Sequence, residues 1–426
     1  MLLPVLKARH ARGEILKIGV VGAGQMGEGL IAQMETMYGM RAFVVADAVP
    51  GRALASLRSA GVADSDIVET DDPDVATAAT DSGKRVASTN PATTWVGPVD
   101  VTVEATGIPE VGARVAYEAI LARKHVLQMN VETDATIGWL LRRMANAAGV
   151  VYTLTAGDEP GSTMELYDFA VSLGFEVVCA GKGKNNPLDR SGNPDTVAEQ
   201  AAAQQMNPKM LASFVDGTKT MVEMTSFANA AGFIPDIPGM HGPEVTPKNL
   251  ADVYIPAEDG GILSARGRVE YGRGIAPGVF VVFTTEHPKL VRDLQYLSMG
   301  KGPYWALYRP YHLTSLETPI SIARAAIQGD TTVATDNQPT AETVTYAKRA
   351  LQAGETVDGL GGFSVYGMIE TAAEASRQRL LPLGLAPGAV LRRDVELGQP
   401  VSYDDVDLDQ SLMIVHLRKL QDLDLK

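Results

Sequence analysis

Over residues 1–155 the apolar positions alternate between two spacings. Ile15–Val21 is a short, mostly apolar run that ends at Gly22, and Leu30, Ile31, Met34 and Met37 then recur at helical spacing. That pattern predicts a strand, a glycine turn and a helix. Arg41–Ala46 predicts a second strand ending at Asp47, Arg85–Ala87 a third, Asp100–Ala105 a fourth, His125–Met129 a fifth and Val150–Leu154 a sixth. Val111–Arg123 and Ile137–Ala148 read as helices between them. Strands alternating with helices predict a doubly wound parallel sheet with helices on both faces, an α/β domain of the Rossmann type over residues 1–155.

The pattern changes at residue 156. Glycine, proline, asparagine and lysine crowd the turns, with helices expected at Met164–Leu173 and Lys209–Ala230 and strands at Val269–Tyr271 and Val279–Thr284. Residues 156–335 therefore read as an α+β domain. Over 336–426 short β runs are punctuated by Gly and Pro, and Leu351–Val357 is echoed by Leu385–Leu391 and more weakly by Leu397–Val401. This predicts a small β-rich module that begins near Thr340. The irregular spacing excludes a solenoid.

Composition narrows the classes. A chain of 426 residues buries a sizeable core without disulfides or a structural metal. The formal net charge of −14, with no Lys/Arg-rich run, argues against a nucleic-acid partner. The single cysteine, Cys179, excludes an internal disulfide and a cysteine zinc site, and its apolar surroundings make it a core residue. No apolar run reaches the roughly 18 residues of a membrane span. The N-terminal apolar stretch is too short for a signal peptide, so a cytoplasmic protein is expected.

The chemistry begins at Gly22-Ala23-Gly24-Gln25-Met26-Gly27, which follows a strand and opens a helix. In that setting Gly22 allows the tight turn, Gly24 the approach of a pyrophosphate, and Gly27 close packing of helix on strand. The helix start then offers free N–H groups to the anion. Asp47, at the end of the next strand, would accept hydrogen bonds from ribose hydroxyls, which favours NAD. Arg52, five residues on, would neutralise a 2′-phosphate, which favours NADP, and the residues alone leave the two open. Thr106-Gly107 and Asn130 end later strands at the same edge and are expected on the nicotinamide side, unless they are ordinary strand-end turns.

Three further stretches are chemically loaded. In Gly181-Lys182-Gly183-Lys184-Asn185-Asn186-Pro187, two lysines two apart on an extended segment point the same way. With the asparagines they form either a cradle for a phosphate or carboxylate, or an exposed turn. On a single helix Asp216, Lys219 and Glu223 share one face, as a surface ion-pair stripe or as a partly buried set toward a substrate. Arg309 and His312 offer help with an anionic substrate, against a purely structural histidine.

Four stretches together resemble one family: VGAGQMGEGL at 21–30, GDEPGSTMELYDF at 157–169, GKGKNNP at 181–187 and RPYHLTSLETP at 309–319. They are similar to homoserine-dehydrogenase-like oxidoreductases with a C-terminal SAF domain, above all the deoxyxylulose-phosphate reductoisomerase-like branch. VEATG at 103–107 is similar to the cofactor domain of homoserine dehydrogenases, and the echo at 351–401 resembles SAF modules. The resemblance implies a cytoplasmic homodimer, paired through the middle domain, that uses NADP(H) rather than NAD(H) and a divalent cation, Mg2+ or Mn2+. It implies conversion of 1-deoxy-D-xylulose 5-phosphate to 2-C-methyl-D-erythritol 4-phosphate, a step of isoprenoid precursor synthesis. By the GKGKNNP motif, Lys182, Lys184, Asn185 and Asn186 then hold the phosphate or the reacting oxygens; that Asp216, Lys219 and Glu223 supply charge and handle protons is inferred from their residue types and not from the motif. No residue is assigned as a metal ligand. Gly161-Ser162-Thr163-Met164 replaces the Gly-Thr-Thr-Asn-type turn of homoserine dehydrogenases, which points away from homoserine. The alternatives are a plain dehydrogenase of a hydroxy acid, and a cofactor-binding regulator with the SAF module as its recognition element.

Overall fold

The computed structural model describes residues 2–425, which form two compact units. One comprises residues 2–158 with 313–336, the other 159–312 with 337–425.

The first unit is built on seven parallel strands in the order β3-β4-β2-β1-β5-β6-β7. They are β1 (Leu16–Val21), β2 (Met40–Ala46), β3 (Ile67–Glu69), β4 (Arg85–Ser88), β5 (Val101–Glu104), β6 (His125–Gln128) and β7 (Tyr152–Leu154). The helices are α1 (Leu2–Ala11), α2 (Gln25–Glu35), α3 (Arg52–Ser59), α4 (Pro73–Asp81), α5 (Pro109–Leu121) and α6 (Val131–Ala148). Parallel strands covered on both faces read as runs of Val, Ile and Ala, and Ile18, Val20, Val101 and Val103 are completely buried. Leu30, Ile31 and Met34 of α2 close over them. The chain runs outward from β1 through β2 to β4, then returns to lay β5 on the other side of β1. That reversal leaves a crevice at the carboxyl ends of β1 and β5, where open α/β sheets bind ligands.

Residues 313–336 complete this unit. Ile322, Ala323 and Ala325 belong to the same core as Ile18 and Leu30. Val333 bridges Leu154 at the sheet edge, with the Leu154 N–H donating to its carbonyl at 2.9 Å.

The second unit holds a mixed five-stranded sheet in the order β12-β11-β8-β10-β9. Its strands are β8 (Glu176–Lys184), β9 (Ile234–Pro235), β10 (Arg268–Arg273), β11 (Val279–Thr284) and β12 (Tyr304–Arg309). β8 runs parallel to β10 and antiparallel to β11. Its helices include α7 (Glu159–Ser172), α8 (Ala198–Ala203), α9 (Pro208–Val215) and α10 (Thr218–Ala231). Met221, Met224 and Phe227 of α10 share one core with Ala180, Val269 and Val281. Cys179, Val282 and Tyr254 form a second core, with Tyr254 stacked on Phe280. Cys179 is an inert core thiol that burial holds well above its ordinary pKa.

One expectation needs correction. The helix expected over Lys209–Ala230 is two helices, broken at Asp216-Gly217, where Gly217 takes φ +86°. Asp216 caps the end of α9, so it does not share a helix face with Lys219 and Glu223. For the Gly-Lys-Gly-Lys segment, which the sequence left open between an extended cradle and an exposed turn, the structure shows the buried end of β8.

The C-terminal segment is β-rich from Ala341, near the expected start. β13 (Ala341–Ala347) and β14 (Val365–Thr371) pair antiparallel, and β15 (Val390–Leu391) pairs with β16 (Val406–Asp407). The echoed sequences pair with one another: Gly354 N–H donates to Leu391 O, and Leu391 N–H to Glu355 O. This hairpin region docks on α10 through Thr225 and Thr343 at 2.8 Å and through Gly367 N–H to the Thr218 hydroxyl at 2.8 Å. Among the described residues no helix is long and apolar enough to cross a membrane.

Candidate active site

At the carboxyl edge of the first sheet, the turn after β1 has the sterics of a phosphate cradle. Gly22 sits at φ +98°, and a Cβ at Gly27 would lie 1.9 Å from the Gly22 carbonyl oxygen, so neither position takes a side chain. A Cβ at Gly24 would meet nothing within 4 Å. Gly24 is also the N-cap of α2, without a side-chain cap, so the first N–H groups of the helix face open space beside the exposed Gln25 and Met26. These residues fit a dinucleotide pyrophosphate. Gly24→Ala should therefore leave the fold intact, because its methyl has room, yet weaken dinucleotide binding at least about tenfold by filling the approach path. Cofactor titration of a variant with an unchanged unfolding curve checks this.

The structure brings the other expected residues to the same edge. Asp47 Oδ2 accepts from Ala23 N–H at 2.8 Å and Oδ1 from Val49 N–H at 2.8 Å, with Arg52 Nη1 3.5 Å away. Asp47 thus pins the glycine turn itself. Thr106 donates its N–H to Glu104 Oε1 at 2.7 Å, and its hydroxyl donates to the same oxygen. Gly107 follows at φ +69°. Asn130 caps α6 by accepting from Thr133 N–H at 3.1 Å, and it donates to Ile108 O at 3.0 Å. Its amide thus ties the loop after β5 to the start of α6. Sequence reasoning missed Glu104. Burial pushes its carboxyl up to about 7, against the Thr106 and Asn130 hydrogen bonds, and Glu132 adds to the rise. The signal was there: a carboxylate ending an otherwise apolar parallel strand.

In the second unit, alternation along β8 turns Lys182 and Lys184 to the α10 side, the side of Ala180. Both are buried. Lys182 Nζ reaches Glu159 Oε1, at the start of α7, at 2.6 Å, and it pairs with Glu223 of α10. Lys219, one turn before Glu223, stands 4.0 Å from that carboxylate. His312 Nε2 is 3.6 Å from Glu159 Oε1, and its Nδ1 is 2.7 Å from Pro277 O. The sequence therefore named most of this cluster but left Glu159 unassigned.

The two lysines differ in charge state. Burial drags Lys182 down, but Glu159 and Glu223 together overcome it, so Lys182 stays above the usual lysine pKa. Burial and the Glu159 charge push Glu223 up to about 7, against the pull of Lys182 and Lys219. Lys184 has no directly paired carboxylate among the described residues, and Asp216 and Glu223 only partly oppose the fall in its pKa. Its Nζ donates to Phe214 O at 2.5 Å, and burial with the Lys182 charge lowers it to about 8. Asn185 is exposed and Asn186 half-buried just beyond β8. Asp216 lies apart from the Lys182–Glu223 pair: it is buried, accepts from Thr218 N–H at 2.8 Å, and pairs with Lys348 at 2.7 Å. Burial raises its carboxyl and Lys348 opposes the rise.

Glu159 and Glu223 belong to a carboxylate group whose oxygens lie within 4.8 Å of one another, a set that could hold a cation in competition with Lys182. The Lys182 ammonium already lies between them and carries the positive charge that a metal would bring.

Residues 157–318 match the family described as oxidoreductase DRL, catalytic domain. No curated protein matches the chain. Among solved structures, a probable dehydrogenase from Thermotoga maritima is 12% identical, with TM-score 0.42, over 74% of this chain and 90% of that one. A homoserine dehydrogenase from Thiobacillus denitrificans is 14% identical, with TM-score 0.43, over 90% of this chain and 97% of that one. The family match supports an oxidoreductase.

Proposed function

We propose that the protein is an NADPH-dependent reductase of a small anionic hydroxy-carbonyl compound, with 1-deoxy-D-xylulose 5-phosphate as the leading substrate. The carrying observation is Lys184: a buried ammonium with one hydrogen-bond partner among the described residues, poised near pH 8, beside a lysine that is fixed as a cation. A general acid works best when its pKa lies near the working pH.

A bound dihydronicotinamide supplies the hydride. Lys184 gives a proton to the carbonyl oxygen as it takes on negative charge, and is reprotonated from solvent. Lys182 keeps its proton and holds Glu159 and Glu223 in place. Glu223, at about 7, can take or release a proton at neutral pH, which suits a rearrangement of a hydroxy ketone before reduction. Asn185 and Asn186 supply neutral donors to substrate oxygens, and Lys219 adds positive charge. NADP(H) rather than NAD(H) is favoured because both Asp47 oxygens already accept backbone N–H groups, while the half-exposed Arg52 offers a cation to a 2′-phosphate. A divalent cation, if used, would compete with Lys182 for Glu159 and Glu223.

The test is NADPH oxidation followed at 340 nm with 1-deoxy-D-xylulose 5-phosphate, with and without magnesium or manganese. Turnover is expected. NADPH binding without turnover would overturn the reductoisomerase reaction and leave a dehydrogenase of another hydroxy acid or sugar-derived carbonyl. Lys184→Ala should lower kcat by about 10²–10⁴-fold with NADPH affinity unchanged. Full activity in that variant would remove Lys184 from the chemistry.

A further inference from the structure

Lys348 lies just after β13, far along the chain from β8, yet its side chain is 2% exposed and its partner Asp216 is fully buried. Its ammonium meets three segments: it donates to Gly192 O at 2.5 Å and Gly362 O at 2.7 Å, and it forms an ion pair with Asp216 Oδ2 at 2.7 Å. A cation enclosed in this way serves the fold and not a ligand. What it does is join the loop after β8, the α9–α10 junction and the 358–364 loop at one point.

That junction is where the cluster is set. Phe214 O, two residues before Asp216, receives the Lys184 ammonium. Asp216 O receives Arg190 Nη1 at 3.1 Å, and the Arg190 guanidinium lies 4.8 Å over the Tyr366 ring of β14. Asp216 Oδ1 holds the first N–H of α10, the helix that carries Lys219 and Glu223. The left-handed Gly217 between α9 and α10 gives the chain no helical continuity there, so a side-chain tether has to fix the angle.

We propose that Lys348 is a positioning residue: by holding Asp216 it fixes the α9–α10 junction, and with it the carbonyl against which Lys184 is set and the start of the helix that bears Glu223. The C-terminal segment is then a working part of the catalytic unit, not an appended recognition module. The inference rests on the reading of Lys184 and Glu223 as reacting groups, but its physical core is independent of the substrate.

The test separates positioning from stability. Lys348→Met leaves Asp216 as an uncompensated buried carboxylate, and adding Asp216→Asn removes that charge. Hydrogen exchange of peptides covering residues 208–223 and thermal unfolding are measured on the full-length single and double variants. The single variant is expected to lose stability and to exchange at the junction at least about tenfold faster. The double variant is expected to regain stability while the junction stays fast. With 1-deoxy-D-xylulose 5-phosphate, kcat should stay at least about tenfold down in both variants while NADPH affinity is unchanged. If exchange and kcat recover together with stability, Lys348 only neutralises a charge and the proposal is overturned. If the wild type does not turn over that substrate, the functional reading fails, and the exchange result still decides the positioning claim.

Discussion

Lys182→Met is expected to destabilise the protein by about 3–5 kcal/mol, the cost of stripping a buried ion cluster of its cation. Methionine nearly matches the lysine stem in length, so packing changes little and the loss is electrostatic. Glu159 and Glu223 are left facing each other with no ammonium between them, and Glu223 is 2% exposed. The remaining cation, Lys219 at 4.0 Å, is too distant to replace a direct bond. The variant relieves the clash by protonating Glu223, whose carboxyl burial already holds near 7. A carboxyl raised further in the fold contributes stability at acid pH and loses it as pH rises through its folded pKa. The variant should therefore unfold far more easily in urea at pH 8 than at pH 5. Combining it with Glu223→Gln should recover much of the loss. A deficit under about 1 kcal/mol at pH 8 would mean that water or rearrangement already screens the carboxylates.

Glu104 carries the second large effect. It is the register partner of Gln128 on neighbouring parallel strands, so the two side chains leave the sheet on the same face. Both are completely buried. Gln128 donates to Gly112 O at 3.0 Å, and Glu104 Oε1 is taken by Thr106. That leaves Glu104 Oε2 and Gln128 Oε1, two acceptors without a hydrogen-bonded donor. A proton on Glu104 removes the cost of a buried charge and adds a donor on a face that carries these unpartnered acceptors. The folded-state value of about 7 against the ordinary 4.5 agrees. The folded protein keeps a proton there that the unfolded chain releases, so the contribution is whole below pH 4.5 and disappears as pH rises through 7. Over that window it amounts to about 3 kcal/mol. Glu104→Gln, which cannot titrate, should lose the dependence. Urea midpoints of both proteins across this range measure it, and a constant difference between them would show that Glu104 is ionised throughout.

The first unit was the most legible part of the chain. Its strands are continuous Val/Ile/Ala runs because both faces of a parallel sheet are buried, and its glycine turn is dictated by local sterics. The Lys182–Lys184 pair was legible as a pair, because alternation on a strand is local. That it lay buried was not, since Gly-Lys-Gly-Lys reads equally as an exposed turn until β10 and β11 flank it. The break at Asp216-Gly217 was announced by its Asp-Gly turn signal, but the apolar residues on either side kept a helical rhythm that masked it. Glu104 could have been read from its place at the end of an apolar strand. Lys348 could not: its three partners lie at residues 192, 216 and 362, and nothing near it in the sequence encodes them.

The return of residues 313–336 has a consequence for how the protein is made. The sheet of the first unit is written in the first 154 residues, but its hydrophobic closure waits for Ile322, Ala323 and Ala325, and its last edge contact for Val333. During synthesis the nascent chain must carry an open, parallel-stranded sheet while more than 150 further residues emerge. Parallel strands with late, distant partners fold slowly and expose sticky surface meanwhile. A fragment cut after the last strand of this sheet inherits the same defect permanently, so production and dissection of the protein call for the whole chain.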